Sequence, residues 1–187
     1  VPGVPPAEVA IIGAGVVGTN ATRSFLGMGA HVTVLDKNID SLQKLYDRFP
    51  SVVTMVSTER NIERVCSYAD VVVGAVLIPG ERAPVVVPRT IVRKMKPRSI
   101  IIDVSIDMGG CFETSRPTTH ENPTFVDEGV THFCVPNIPG VIARTATYAY
   151  VNAVMPYLEE LTTLGIENAI TSNKAIAAAV NTHNGEL

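Results

Sequence analysis

Short apolar runs alternate along the first 104 residues with stretches in which apolar residues recur every three or four positions. The apolar runs predict strands, and the amphipathic stretches predict helices. Predicted strands cover residues 9–12, 31–35, 52–56, 71–73 and 99–104, and predicted helices cover residues 16–28, 40–49, 61–68 and 89–95. This order, βαβαβ followed by βαβ, predicts an α/β fold that forms a single domain around a doubly wound, mostly parallel sheet.

The pattern changes after residue 104. Residues 111–137 are rich in proline and polar side chains, which favours a shaped functional loop over a simple connection. Within them, residues 131–135 alternate weakly and predict one further strand. A long helix is predicted over residues 145–164, with a kink at Pro156. Its apolar face is wider than one sheet contact needs, so we expect part of it to meet another domain or subunit.

Three glycines stand between the first predicted strand and the first predicted helix, in the run GAGVVG at residues 13–18. In this context Gly13 would turn the chain out of the strand, Gly15 would admit a pyrophosphate close to the backbone, and Gly18 would let the helix pack against the sheet. The N–H groups at the start of that helix would then bind the phosphates. The pattern predicts a Rossmann-like dinucleotide site. A chance match is the alternative, because the chain contains 14 glycines.

Asp36 follows the second predicted strand, 23 positions after Gly13. An acid at this place accepts hydrogen bonds from the adenosine ribose and would repel the 2′-phosphate of NADP, so it favours NAD. The alternative is that Asp36 only begins the following helix, and the two roles can coexist.

In a doubly wound sheet the ligand lies beyond the carboxyl ends of the strands, where the winding reverses, here between the first and fourth strands. Asp107 follows the fifth strand at the position that faces a nicotinamide ring. A carboxyl group in a largely apolar cleft can serve as a general acid or base. The alternative is a turn cap, which an aspartate close to glycine often provides.

Composition and charge narrow the classes of function. The net charge of −3 gives no electrostatic basis for binding nucleic acid or a membrane, and we expect neither partner. Cys66, Cys111 and Cys134 are an odd count without paired spacing, which indicates buried thiols in a reducing compartment. The four histidines show no ligand spacing, so no metal site is expected.

Several motifs together resemble one family, the bacterial alanine dehydrogenases, over nearly the whole chain. The motifs are GAGVVGTNA at 13–21, GAVLIPG at 74–80, GGCFETSRPTTH at 109–120, PNIP at 136–139 and NAVMPY at 152–157. The last three are more specific than the glycine run. The resemblance implies the nucleotide-binding domain of an enzyme that uses NAD to convert L-alanine reversibly to pyruvate and ammonia.

The resemblance also implies roles for individual residues. The family's nucleotide contacts fall on Val16, Val17, Asp36, Ser57, Val76, Leu77, Val104 and Arg116. Its catalytic acid falls on Asp107. The loop that touches the nicotinamide and the substrate falls on residues 135–138, with Val135 and Ile138 as cofactor contacts and Asn137 as the polar substrate contact. One departure is Ser41, which stands where family members often have a basic residue.

Three prolines among the first six residues predict an extended linker at residues 1–7. The resemblance predicts an NAD-binding domain at 8–165 and a helical segment at 166–187 that leads toward a substrate domain. That domain, with its catalytic histidine, has no counterpart in these 187 residues, so we expect the chain alone to be inactive on alanine. Two alternatives remain, a free-standing NAD-binding or sensing module and the NAD-binding domain of a transhydrogenase. Similar enzymes form hexamers through the helix at 145–164, so the resemblance implies a homo-oligomer, with a dimer or a monomer as alternatives for a fragment. The unpaired cysteines predict a cytoplasmic location.

Overall fold

The computed structural model describes residues 2–185, and the chain divides into two compact units, Val1–Ile138 and Pro139–Leu187. The first unit contains seven strands, which are β1 Glu8–Ile12, β2 His31–Asp36, β3 Val53–Val56, β4 Val71–Gly74, β5 Ile100–Asp103, β6 Thr124–Asp127 and β7 Val130–Phe133. Its helices are α1 Val16–Gly27, α2 Ile39–Arg48, α3 Glu59–Tyr68 and α4 Arg89–Val92, with a 3-10 helix at Val104–Met108.

The strands form one sheet in the order β3-β2-β1-β4-β5-β7-β6. All neighbouring strands are parallel except β6 and β7, which form an antiparallel hairpin. The winding reverses between β1 and β4, so their carboxyl ends open onto a shared crevice. The predicted fold class, a doubly wound and mostly parallel α/β sheet, is confirmed. The sequence pattern did not predict β6.

Two apolar clusters cover the two faces of the sheet. Ala10 and Ile12 of β1 belong to one cluster, and Val9 and Ile11 belong to the other. This division follows from the strand geometry, because successive side chains point to opposite faces. Both faces are buried, which explains why the strands read as continuous apolar runs.

The second unit consists of helices, which are α5 Ala143–Leu164, α6 Ile166–Ser172 and α7 Lys174–Ala179, after a 3-10 helix at Ile138–Ile142. Glu160 of α5 accepts a hydrogen bond from the side-chain amide of Asn173 at 2.6 Å. Asn173 also caps α7, since its side-chain oxygen accepts from the N–H of Ala175. Within the described chain, no residue of α5 is buried.

The long helix predicted over residues 145–164 is present as α5, and Pro156 lies inside it. The predicted boundaries at residues 7 and 165 remain predictions, because compactness alone does not show which residues bind a cofactor. Val1, in the predicted linker, and residues 186 and 187, in the predicted C-terminal segment, lie outside the described residues. Between residues 2 and 185, no helix combines the length and the apolar character that crossing a bilayer requires.

Candidate functional site

A groove of about 710 Å³ lies at the carboxyl ends of the strands in the first unit. It brings together eight of the residues predicted for the cofactor site, Gly13, Gly15, Val16, Val17, Asp36, Ser57, Val76 and Leu77. Lys37, Asn38 and Glu59 also line it and were not predicted. All of these residues lie at or just beyond the ends of β1, β2, β3 and β4, where the topology places a ligand site.

The glycine turn after β1 is held by backbone contacts. Gly13 has a φ of +111°, and a Cβ there would overlap the carbonyl oxygen of Ala75. Gly18 is buried in α1, and a Cβ there would overlap the carbonyl oxygen of Gly13. Gly15 differs, because the space that a Cβ would occupy is open and the residue borders the groove. Gly13 and Gly18 therefore shape the turn, while Gly15 leaves room for a ligand.

The start of α1 offers hydrogen-bond donors toward this space. Among the described residues, no side chain caps the N-terminus of the helix at Gly15. The first N–H groups of a helix have no partner within the helix, so here they remain available as donors to an anion.

Asp36, the last residue of β2, is fixed at both carboxylate oxygens. Its Oδ2 accepts from the N–H of Ala14 at 2.6 Å, and its Oδ1 accepts from the N–H of Asn38 at 2.8 Å. Each oxygen keeps a second lone pair, so the carboxylate can still accept from a sugar hydroxyl. Asn38 is the residue that caps α2, so the alternative role of Asp36 as the helix cap does not hold. Ser57, after β3, donates its N–H to the backbone oxygen of Asp36 at 2.9 Å.

A second tether joins the ends of β4 and β5. The N–H of Val76, on the groove wall, donates to the Oγ of Ser105 at 2.9 Å. Ser105 lies in the 3-10 helix that follows β5 and carries Asp107. The groove wall and the predicted catalytic acid are thus linked through one serine.

Asp107 is exposed and lies outside the groove lining. Its Oδ1 accepts from the backbone N–H of Asn137 at 2.8 Å, which brings two predicted site residues together. Asn137 has a φ of +52°, a left-handed conformation that asparagine tolerates better than most residues. Within the described residues, the structure gives Oδ2 of Asp107 no hydrogen-bond partner. One carboxylate oxygen is therefore held by a backbone donor, and the other can accept a further hydrogen bond.

Asp103 is a buried residue that the sequence reasoning missed. It is the last residue of β5, and its carboxylate accepts from the N–H groups of Ser105 and Cys111 at 3.0 and 2.9 Å and from the Oγ of Ser115 at 2.7 Å. The available signal was an acidic residue at the end of an otherwise apolar strand, because such a buried group needs donors around it.

Five of the residues predicted for the cofactor site lie away from the groove lining, namely Gly18, Val104, Arg116, Val135 and Ile138. Val104 begins the 3-10 helix after β5 and packs partly against the sheet. Arg116 places its guanidinium 4.2 Å from the ring centre of Phe125. Val135 is buried, so it presents almost no surface to a ligand. Their roles as cofactor contacts remain predictions.

The thiols and the buried histidine are unsuited to chemistry at this site. Burial raises the pKa of the Cys66 thiol to about 12, and it also raises the pKa of Cys111 and of Cys134. Burial lowers the pKa of His132, which bonds to Thr114 at 2.7 Å and to the backbone oxygen of Val130 at 3.0 Å. The thiols therefore stay protonated and the imidazole stays neutral at pH 7.

Comparisons with known proteins agree with this geometry. The family model described as "Alanine dehydrogenase/PNT, C-terminal domain" matches residues 1–187. The alanine dehydrogenase of Halomonas elongata is 49% identical over 188 residues, an alignment that covers 100% of this chain and 51% of the relative. The chain thus spans about half the length of the curated relatives that it matches. The family resemblance seen in the motifs is confirmed.

Solved structures give the same result. An L-alanine dehydrogenase superposes with a TM-score of 0.91 and 42% identity, over 100% of this chain and 52% of that one. A transhydrogenase from Sinorhizobium meliloti superposes with a TM-score of 0.74 and 26% identity, over 83% of this chain and 45% of that one.

Proposed function

We propose that this chain, which belongs to the alanine dehydrogenase/PNT C-terminal domain family, is the cofactor half of an alanine dehydrogenase. Domains of this family bind NAD, the cofactor predicted from Asp36 and the motifs. The proposed reaction is the reversible conversion of L-alanine to pyruvate and ammonia. The observation that carries the proposal is the groove, where the glycine turn, the start of α1 and Asp36 stand together.

The residues of the groove fit a dinucleotide. Gly15 leaves open space beside the N-terminus of α1, which suits a pyrophosphate. Asp36 is fixed by Ala14 and Asn38, and its remaining lone pairs suit the hydroxyls of the adenosine ribose. Val76 and Leu77 supply apolar surface to the groove wall.

Asp107 is the proposed acid and base. When bound, NAD supplies the acceptor for a hydride from the substrate. Oδ2 of Asp107 would then hold or release a proton, while Oδ1 stays hydrogen-bonded to Asn137. In this proposal Asn137 contacts the substrate through its side-chain amide, and its backbone N–H keeps Asp107 in place.

The dehydrogenase is favoured over the transhydrogenase by the degree of similarity. The solved L-alanine dehydrogenase shares 42% identity with this chain, and the solved transhydrogenase shares 26%. The alternative role, a free-standing NAD-binding module, makes a different prediction, because such a module would act without a second domain.

The decisive experiment uses the chain and a chimaera. Calorimetry of the purified chain with NAD and NADH should show binding with micromolar or weaker affinity, and the chain alone should form no NADH from alanine. A chimaera in which the chain replaces the matching half of an alanine dehydrogenase should oxidise alanine. Absence of binding heat at millimolar cofactor contradicts the cofactor site. NADH formation by the chain alone contradicts the need for a substrate domain.

The proposal extends to a homo-oligomer that forms through α5 in the cytoplasm. Tyr148, Val151, Met155 and Leu158 of α5 recur every three or four residues and are each at least 42% exposed. Such a stripe suits burial against a second copy of the chain. Leu158→Glu should shift the sedimentation coefficient toward that of the monomer, while Glu159→Gln on the same helix should not.

A further inference from the structure

The carboxylate of Asp103 is the most connected polar group near the proposed active site. It is 1% exposed, and both of its oxygens accept hydrogen bonds. Oδ1 accepts from the N–H of Ser105 at 3.0 Å, with the Sγ of Cys111 at 3.6 Å. Oδ2 accepts from the N–H of Cys111 at 2.9 Å, the Oγ of Ser115 at 2.7 Å and the N–H of Phe112 at 3.4 Å.

These bonds close the turn that carries the proposed acid. Ser105 and Cys111 flank Asp107 on either side along the chain, and Asp103 holds the backbone N–H of each. The N–H of Gly110 also donates to the oxygen of Ser105 at 2.9 Å, which closes the same turn. Asp107 therefore projects from a loop whose two ends are attached to one buried carboxylate.

The same group reaches the groove wall through Ser105, whose Oγ accepts from the N–H of Val76. It also reaches Ser115, the residue before Arg116. Asp103 is thus connected to three places where site residues are predicted, although it touches none of the groove itself.

Two glycines make room for the carboxylate. A Cβ on Gly110 would lie 2.9 Å from Oδ2 of Asp103, and one on Gly74 would lie 3.0 Å from Oδ1. Gly110 also has a φ of +81°. The site is therefore built closely around Asp103, with no space to replace its contacts by a shifted side chain.

We propose that Asp103 is a positioning residue that fixes the place of Asp107, an inference that rests on the proposed function for its catalytic consequence. Asparagine has the same shape but only one acceptor oxygen. Whichever way the amide is oriented, its NH2 group faces a backbone N–H, either that of Ser105 or that of Cys111. One end of the turn then opens, and Asp107 moves away from Asn137.

The first test measures this movement without activity. The amide proton of Asn137 reports on Asp107, because Oδ1 of Asp107 is its acceptor. In the 15N-labelled chain, Asp103→Asn should raise amide exchange at Asn137 by about tenfold or more relative to amides of β1. Asp70→Asn is the matched control, since Asp70 accepts from the N–H of Glu8 and from Lys96 at the opposite end of the sheet.

Equal exchange at Asn137 in the two variants would overturn the inference. If Asp103→Asn does not fold, Ser115→Ala provides a second test, because it removes only one donor to Asp103. It should raise exchange at Asn137 by about threefold, and an unchanged rate would count against the inference.

The second test uses the alanine dehydrogenase chimaera. Asp103→Asn should lower kcat by about tenfold to a hundredfold and change KM for NAD by less than about threefold. In a double-mutant cycle, adding it to Asp107→Asn should cause no further loss, because the residue that it positions has lost its function. Additive losses would show that Asp103 acts independently of Asp107 and would overturn the inference. A wild-type chimaera without alanine oxidation would contradict the proposed function, and the exchange experiment would still decide the positioning role.

Discussion

In the first half of the sheet, β1 to β3, the candidate site combines a glycine turn shaped by backbone contacts with the partly exposed carboxylate of Asp36. In the second half, β4 to β7, it depends on one buried carboxylate, that of Asp103, which several donors surround. Gly13 and Gly18 shape the first half through contacts that leave no room for a Cβ. Asp103 shapes the second half through donors that lie up to 12 residues away along the chain. The first design suits a phosphate that approaches the main chain closely, and the second suits a side chain that must be held in one orientation.

The sharpest test of the second half is Asp107→Asn in the chimaera. We expect turnover to fall by about 10² or more, because the amide cannot hold or release the proton. Binding of NADH to the chain should change little, since Asp107 lies outside the groove lining. Steady-state kinetics and calorimetry measure the two quantities, with Glu121→Gln as a control in the same segment. A near-normal rate would leave Asp107 with the role of a turn cap.

The corresponding test of the first half is Gly13→Ala. The added Cβ would overlap the carbonyl of Ala75 at a backbone φ of +111°, so we expect a loss of about 1–3 kcal/mol in stability. NADH affinity should fall by about tenfold because the turn must shift. Gly29→Ala is the matched control, since Gly29 has a φ of +80° but open space around it. Equal effects of the two variants on NADH affinity would remove the glycine turn from the cofactor site.

A smaller effect is expected from Asp36→Ala. The preference for NAD over NADP should weaken by about tenfold, because the variant lacks the charge that repels a 2′-phosphate. Affinity for NADH should also fall, since the N–H of Ala14 loses its acceptor. Calorimetry with both cofactors measures the ratio, and Asp40→Ala on α2 serves as the control. An unchanged ratio would exclude Asp36 from the ribose site.

The smallest effect is expected on the pH dependence of stability, and it comes from the ion pairs that Arg89 and Arg93 form in the second half of the sheet. Arg89 lowers the pKa of Asp127, and Arg93 together with Arg89 lowers the pKa of Glu128. Because both pKa values are lower in the folded state, the stabilisation is complete above about pH 5 and is lost as the pH falls below about 4.

Arg89→Met should therefore reduce the difference in Tm between pH 6 and pH 3 by about 2 °C, as the pairs are partly exposed. Thermal unfolding followed by circular dichroism measures the difference. Lys94→Met, which breaks an exposed pair with Glu63, is the control. An equal pH dependence of Tm in wild type and in Arg89→Met would show that Arg89 does not lower the pKa values of Asp127 and Glu128.

The same contrast explains what the sequence could predict. The glycine turn and Asp36 are encoded at short, fixed spacings, so the sequence alone predicts both as parts of a cofactor site. The Asp103 network depends on burial and on donors at residues 105, 111 and 115, and no periodicity in the sequence reveals which of them converge. The motif that contains Asp107 was recognised as a resemblance, while its contact with Asn137 spans 30 positions and required the fold.

The missed strand β6 had a local signal of another kind. Glu128 and Gly129, between β6 and β7, both have positive φ, at +51° and +74°. A two-residue turn with two such residues is typical of a tight hairpin, and glycine in its second position marks it. The signal was obscured because the hairpin follows a proline-rich segment and its strands have only four residues each.

The buried thiols provide a way to observe local opening at two places in the core. A thiol reagent reacts with the thiolate, so a buried and protonated cysteine is modified only when the structure around it opens. Cys66 lies on α3 and Cys111 lies beside Asp103, and both belong to the same apolar cluster. Labelling followed by mass spectrometry of the peptides would yield one opening rate for each thiol. Added NADH should slow labelling at Cys66 and Cys111 to different degrees, which would show how far cofactor binding tightens the core around α3 and around Asp103.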